Sequence, residues 1–132
     1  MSRRVDDVLE EARTRIGRVD PADLDQVLAT GGLVVDIRPE SQRHDEGALP
    51  GAVVIERNVL EWRLDPGSEH RIREVRDHDQ QVVVVCSAGY ASSLAAASLA
   101  DLGFTRATDL DGGYQAWRVL SGDRAARSGA GR

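Results

Sequence analysis

Four consecutive valines, Val82–Val85, stand directly before the only cysteine of this chain, Cys86. A β-branched run that is apolar at every position has no side to turn to water, so it reads as a strand covered on both faces. Leu33-Val34-Val35-Asp36-Ile37 and Val53-Val54-Ile55 have the same character and are bounded by turn residues. Buried runs of this kind, separated by helical stretches, specify an α/β fold built on a parallel sheet.

The helical stretches carry their own signals. Val5, Val8, Leu9, Ala12 and Ile16 recur at helical spacing, with Asp6 and Asp7 in the first turn and Arg13 and Arg15 in the last, which suits the helix dipole. A short strand at Arg18-Val19 follows. Asp20-Pro21-Ala22-Asp23 then reads as a cap with proline at the first helical position, opening a helix that buries Leu24, Val27 and Leu28 and stops at Gly31-Gly32. Residues 91–102, rich in Ala and Leu and closed by Gly103, predict a further helix whose small side chains permit close packing on the sheet. A strand near Ala107-Thr108 and a helix over residues 114–120 complete the domain. The organisation expected is a helical extension over residues 1–17, one domain over 18–120, and a disordered tail over 121–132, where Gly, Ser, Ala and Arg leave nothing to bury.

Composition narrows the function. With 132 residues, 41% hydrophobic and 30% charged, the chain has the make-up of one globular domain. A net charge of -5 with no basic stripe argues against nucleic acid as a partner. The polar, acidic N-terminus is unlike a signal peptide, and no apolar run approaches the ~20 residues of a membrane span, so a cytoplasmic protein without a membrane partner is expected. One cysteine forms no disulfide within the chain and no two-cysteine metal motif. His44, His70 and His78 are scattered without ligand spacing, and no metal site is expected.

Cys86 is therefore either an apolar filler of the core or a reactive thiol. Its context is a buried strand, a short loop Ser87-Ala88-Gly89-Tyr90, and a helix. The carboxyl end of a strand in an open α/β sheet is where ligands bind. A helix N-terminus there offers unpaired N–H groups, and a curled loop can turn successive amides inward as an anion nest; both favour thiolate over thiol. Taken alone, the local pattern leaves the two readings about level.

Four segments in order resemble the rhodanese domain: Val34-Val35-Asp36-Ile37-Arg38, Gly47-Ala48-Leu49-Pro50-Gly51-Ala52, the Cys86 loop, and Leu102-Gly103-Phe104 with Leu110-Asp111-Gly112-Gly113-Tyr114-Gln115-Ala116-Trp117. The resemblance implies a three-layer α/β/α fold with a central, mainly parallel five-stranded sheet. It implies a sulfurtransferase in which Cys86 takes sulfane sulfur from thiosulfate or a persulfide donor and passes it on as a persulfide. The acceptor would be cyanide, a thiol or a protein, with no cofactor. Loop residues Ser87, Ala88, Gly89, Tyr90 and Ala91 would hold the substrate anion, with Arg43 as a candidate cation and Asp36 and Arg38 as structural neighbours. Arg57 and Arg63 are further candidates whose default role is surface pairing.

Three departures matter. Related phosphatases place an arginine after Cys and five further residues, where this chain has Ser92. Many rhodanese loops carry a cation in the ring, commonly at the position of Ala91, whereas this ring has none. Ala48 replaces a frequent histidine. The uncharged ring keeps two alternatives open, a catalytically weak binding or regulatory module and a thiol redox sensor that needs an external resolving thiol.

Overall fold

The computed structural model describes residues 2–130, with side chains through Arg124. Its elements in chain order are α1 (Val5–Thr14), β1 (Gly17–Val19), α2 (Leu24–Ala29), β2 (Leu33–Asp36), α3 (Glu40–Glu46), β3 (Val53–Val54), α4 (Leu60–Leu64), β4 (Val82–Val85), α5 (Ala91–Asp101), β5 (Ala107–Leu110) and α6 (Gly113–Ala130). Short 3-10 turns, Pro21–Asp23 and Arg57–Val59, precede α2 and α4. The first is capped by the Asp20 carboxylate, which accepts from the Ala22 N–H at 2.9 Å.

The five strands lie in the order β1-β5-β4-β2-β3, and every pairing is parallel. β4 is central, and its side-chain alternation explains the valine run. Val82, Val84 and Cys86 face a layer formed by Leu60, Leu64, Ala95, Ala96, Leu99 and Phe104, while Val83 and Val85 face one containing Leu24, Val27, Leu49 and Tyr114. Two of the valines thus serve each of two separate cores. The same period of two sends Leu33, Val35 and Ile37 to the α5 side and Val34 to the α6 side, together with Asp36. The fold is the expected α/β/α arrangement.

α5 is the helix that small residues bring close to the sheet. Ala95, Ala96 and Leu99 are fully buried in it, and α1 packs across its other side. Gly103, at φ +108, closes the helix in the left-handed region that the sequence anticipates.

Residues 121–130, expected to lack structure, are instead helical, because α6 continues to Ala130. Ala and Arg are strong helix formers, and Arg124 ties the helix to the α2 region by donating to the Ala22 carbonyl at 3.5 Å and approaching Asp25 at 3.7 Å. Residues 131–132, which belong to the tail expected over 121–132, lie outside the described ones. No helix among the described residues is long and apolar enough to cross a membrane.

Close packing of α5 predicts that Ala96→Leu, which adds three methyl-sized groups at a fully buried position, costs about 1–3 kcal/mol. Urea unfolding should show a lower midpoint with an unchanged slope.

Candidate active site

β4 delivers Cys86 to the carboxyl edge of the sheet, where the chain curls through Ser87, Ala88, Gly89 and Tyr90 into α5. Cys86 is 8% exposed and belongs to the α5-side core. It is nevertheless not a core filler in its polar contacts: Sγ accepts the N–H of Gly89 at 3.2 Å and that of Ser92 at 3.3 Å. Ser92 is the second residue of α5, and Tyr90, the residue at the cap position, makes no side-chain cap. The sulfur therefore satisfies an orphan N–H of the helix terminus, a place usually taken by a side-chain oxygen. Donors on sulfur stabilise negative charge there.

Three carbonyls of the loop are pinned on the outside of the ring. The Cys86 and Ser87 carbonyls accept from the Tyr114 and Gln115 N–H groups at the start of α6, at 2.9 and 3.0 Å. The Gly89 carbonyl accepts from Arg13 Nη2 at 2.8 Å and Arg18 Nη2 at 2.9 Å. All described peptides are trans, so the N–H groups of Ser87, Ala88 and Tyr90 point away from those partners. Gly89 itself has φ +87, and a Cβ at Gly113 (φ +64) would lie 2.6 Å from both the Cys86 and Ser87 oxygens. Gly113 is thus needed for close approach as well as for the turn.

Two buried polar centres brace this arrangement. On the α5 side, Asp109, fully buried on β5, accepts from Ser92 Oγ at 2.8 Å, Ser93 Oγ at 2.7 Å and Arg18 Nε at 3.0 Å. Burial works against the Arg18 charge, but the hydrogen bond and charge of Asp109, with the charges of Asp111 and Cys86, more than offset it and hold the guanidinium above its ordinary value. On the α6 side, Arg38 has no exposed side-chain surface. It donates to Asp36 (Nη2 to Oδ2, 2.6 Å), Glu46 (3.2 Å) and the Gly47 carbonyl (2.9 Å), and it stacks on Tyr114 with 3.9 Å to the ring centroid. Burial opposes this charge too; Asp36 and then Glu46 outweigh the penalty and raise the Arg38 value. Glu46 carries the network to the loop by accepting from Ser87 Oγ at 2.7 Å, and Gln115 donates to the same hydroxyl at 2.8 Å.

Of the residues singled out in the sequence, Cys86, Ser87, Ala88, Gly89, Tyr90 and Ala91 form one ring, with Ala88, Tyr90 and Ala91 on its exposed rim. Asp36 and Arg38 pair beneath it. Arg43 lies elsewhere: its Nε donates to the Arg38 carbonyl at 3.3 Å, and its side chain lines a cleft of about 310 Å³ with Asp36, Glu40, His44 and Ala48 that includes no residue of the Cys86 ring. Arg57 pairs with Glu61 at 3.0 Å and Arg63 donates to the His70 carbonyl at 2.7 Å, so neither is brought to the ring. Sequence reasoning missed Arg13, Arg18, Glu46 and Asp109. The one available signal was Asp109, a charge inside the otherwise strand-like Ala107–Leu110.

Removing the buried cation tests the bracing on the α6 side. Arg38→Met leaves Asp36 charged and unpaired and should cost about 3–5 kcal/mol, read as a fall in the thermal and urea midpoints.

Comparison with known proteins follows the same geometry. The family model described as Rhodanese-like domain matches residues 20–119. The thiosulfate sulfurtransferase GlpE of Ectopseudomonas mendocina (strain ymp) is 34% identical over 102 residues, covering 77% of this chain and 84% of that protein. A Rhodopseudomonas palustris protein of unknown function, described as a possible tyrosine phosphatase, superposes with a TM-score of 0.81 at 30% identity over 92% of this chain and 93% of its own. The human single-domain sulfurtransferase TSTD1 superposes with a TM-score of 0.63 at 25% identity, over 76% and 93%. The motif order read from the sequence, the parallel sheet with cysteine at the end of its central strand and a match spanning most of the chain agree, and the chain belongs to the rhodanese-like domain family.

Proposed function

We propose that this chain is a sulfurtransferase that carries sulfur on Cys86. The observation that carries the reading is the pair of N–H groups, from Gly89 and Ser92, on Sγ at the carboxyl end of the central strand. The names of the curated relatives support the same class of reaction.

In the first half-reaction the Cys86 thiolate attacks the outer sulfur of thiosulfate. A new S–S bond forms on Cys86, the S–S bond of the donor breaks, and sulfite leaves with the electron pair. The terminal sulfur of the resulting persulfide bears the negative charge, which the N–H groups of Ser87, Ala88 and Tyr90 are free to meet. In the second, cyanide or a thiolate attacks that terminal sulfur and the Cys86 thiolate leaves, ready for another cycle. No group has to remove a proton in either attack, which fits a site without histidine.

A phosphatase reading has one observation in its favour, the description of the Rhodopseudomonas palustris protein. Against it stands Ser92. That residue is fully buried with its hydroxyl on Asp109, so the place from which an arginine would grip phosphate bidentately is closed.

Intact-protein mass spectrometry after treatment with thiosulfate should find one added sulfur atom on the wild type and none on Cys86→Ser, while p-nitrophenyl phosphate is not turned over. Absence of the added mass with both thiosulfate and a persulfide donor would overturn the reading; sulfur uptake without turnover would assign the binding or carrier module instead. Because the ring has no charged side chain, kcat/KM for dianionic thiosulfate should also fall below that for a persulfide donor of low net charge, and steady-state kinetics with both donors checks this.

A further inference from the structure

The ring from Cys86 to Ala91 holds no charged side chain, yet two guanidinium groups meet its outer edge at one atom, the Gly89 carbonyl oxygen. They differ in what else they hold. Arg18 is paired with Asp109 and Asp111, both at 3.0 Å, so carboxylates compensate its charge. Arg13 is half-buried and its other partners are neutral: Nε donates to Ser93 Oγ at 3.0 Å, and the guanidinium carbon lies 5.8 Å from the centroid of the Tyr90 ring. Among the described residues no carboxylate forms an ion pair with it.

The consequence is electrostatic as well as geometric. With its carbonyl held outward, the Gly89-Tyr90 peptide points the Tyr90 N–H the other way, and the neighbouring Ala88-Gly89 peptide brings the N–H of Gly89 to the sulfur. A positive charge without a counter-ion at the back of that peptide adds to the positive end of α5, which already meets Sγ through Ser92. Arg13 lies on α1, ahead of the residues matched to the family. α1 is held in place by its packing on α5 and by the pair between Arg15 and Asp101.

We propose that Arg13 is a positioning residue for Cys86: from α1 it fixes the Gly89-Tyr90 peptide and supplies, from behind the ring and without touching substrate, the positive charge that the ring lacks. This deepens the sulfur-transfer reading, yet it concerns the reactivity of the thiol itself and can be measured without a sulfur donor.

The test is the rate of Cys86 alkylation by iodoacetamide, in which the thiolate displaces iodide, followed against pH in the full chain. Arg13→Gln should slow alkylation at neutral pH by about 2- to 5-fold and move the rate profile to higher pH. Arg13→Lys, which keeps the charge, should recover most of the rate. Arg15→Gln removes the same charge from the same helix, breaks only an exposed pair with Asp101 and touches no loop atom, and should alkylate as the wild type does. Arg13→Met, which retains the apolar stem without the charge, takes the place of glutamine if that variant does not fold. A wild-type rate and profile in the variant that removes the charge, an equal loss in Arg15→Gln, or no recovery in Arg13→Lys would each overturn the proposal. If these alkylation effects appear while no donor adds sulfur mass, the positioning role stands and the sulfur-transfer reading fails.

Discussion

A trans peptide puts its carbonyl and the following N–H on opposite sides, and the Cys86 ring is built on that constraint. Three of its carbonyls are claimed from outside, those of Cys86 and Ser87 by the first amides of α6 and that of Gly89 by Arg13 and Arg18. The amides of Ser87, Ala88 and Tyr90 are left pointing away from those partners. The orientation of those amides is therefore set by structure outside the loop. The loop sequence, Ser-Ala-Gly-Tyr, supplies little more than permission: small residues, and a glycine where φ is positive.

Holding carbonyls from outside requires that the outside be rigid, and here each face of the sheet contributes one buried charged centre. Asp109 fastens Ser92, Ser93 and Arg18 on the α5 side. Arg38 fastens Asp36, Glu46, Gly47 and the Tyr114 ring on the α6 side, and Glu46 passes that order on to Ser87. Burying charges is expensive unless each is paired and its remaining donors are used. That condition is met, since among the described residues no buried side-chain polar atom lacks a partner. A fully bonded network of this kind specifies one geometry, because any shift of the loop would strand a charge in the interior.

β2 and β4 were legible in the sequence because burial on two faces writes itself as continuous β-branched runs, and Cys86 was legible because it ends one of them; β3 has a similar run but is an edge strand, where Val54 is 48% exposed rather than covered on both faces. α3 was not. It buries no residue, so Glu40–Glu46 has no apolar stripe to read, although it positions Glu46 and lines the cleft containing Arg43. The extension of α6 was lost for a related reason: Gly122 and the run of small and basic residues after it carry no apolar period, and the tie from Arg124 to Ala22 bridges distant parts of the chain. The arginines behind the ring were invisible for a third reason. Arg13 reads as a last-turn residue suited to the dipole of its own helix, and only the packing of α1 on α5 reveals that it serves a carbonyl 76 positions away. Periodicity reports what a residue does for its own element, whereas a site assembled from several elements is a tertiary fact.

Placing positive charge behind the ring rather than within it has a chemical consequence. A cation on the ring would touch the donor and favour anions of high charge in the ground state. A cation on the Gly89 carbonyl is separated from the donor by the peptide, so it acts on the sulfur and on the orientation of the amides instead. The first arrangement strengthens binding of a dianion; the second leaves binding to the amides and favours whichever state carries charge on sulfur. In the proposed cycle the thiolate and the terminal sulfur of a persulfide would both carry that charge, so the field of the loop would suit both forms, and the choice of donor would fall to the exposed rim formed by Ala88, Tyr90 and Ala91.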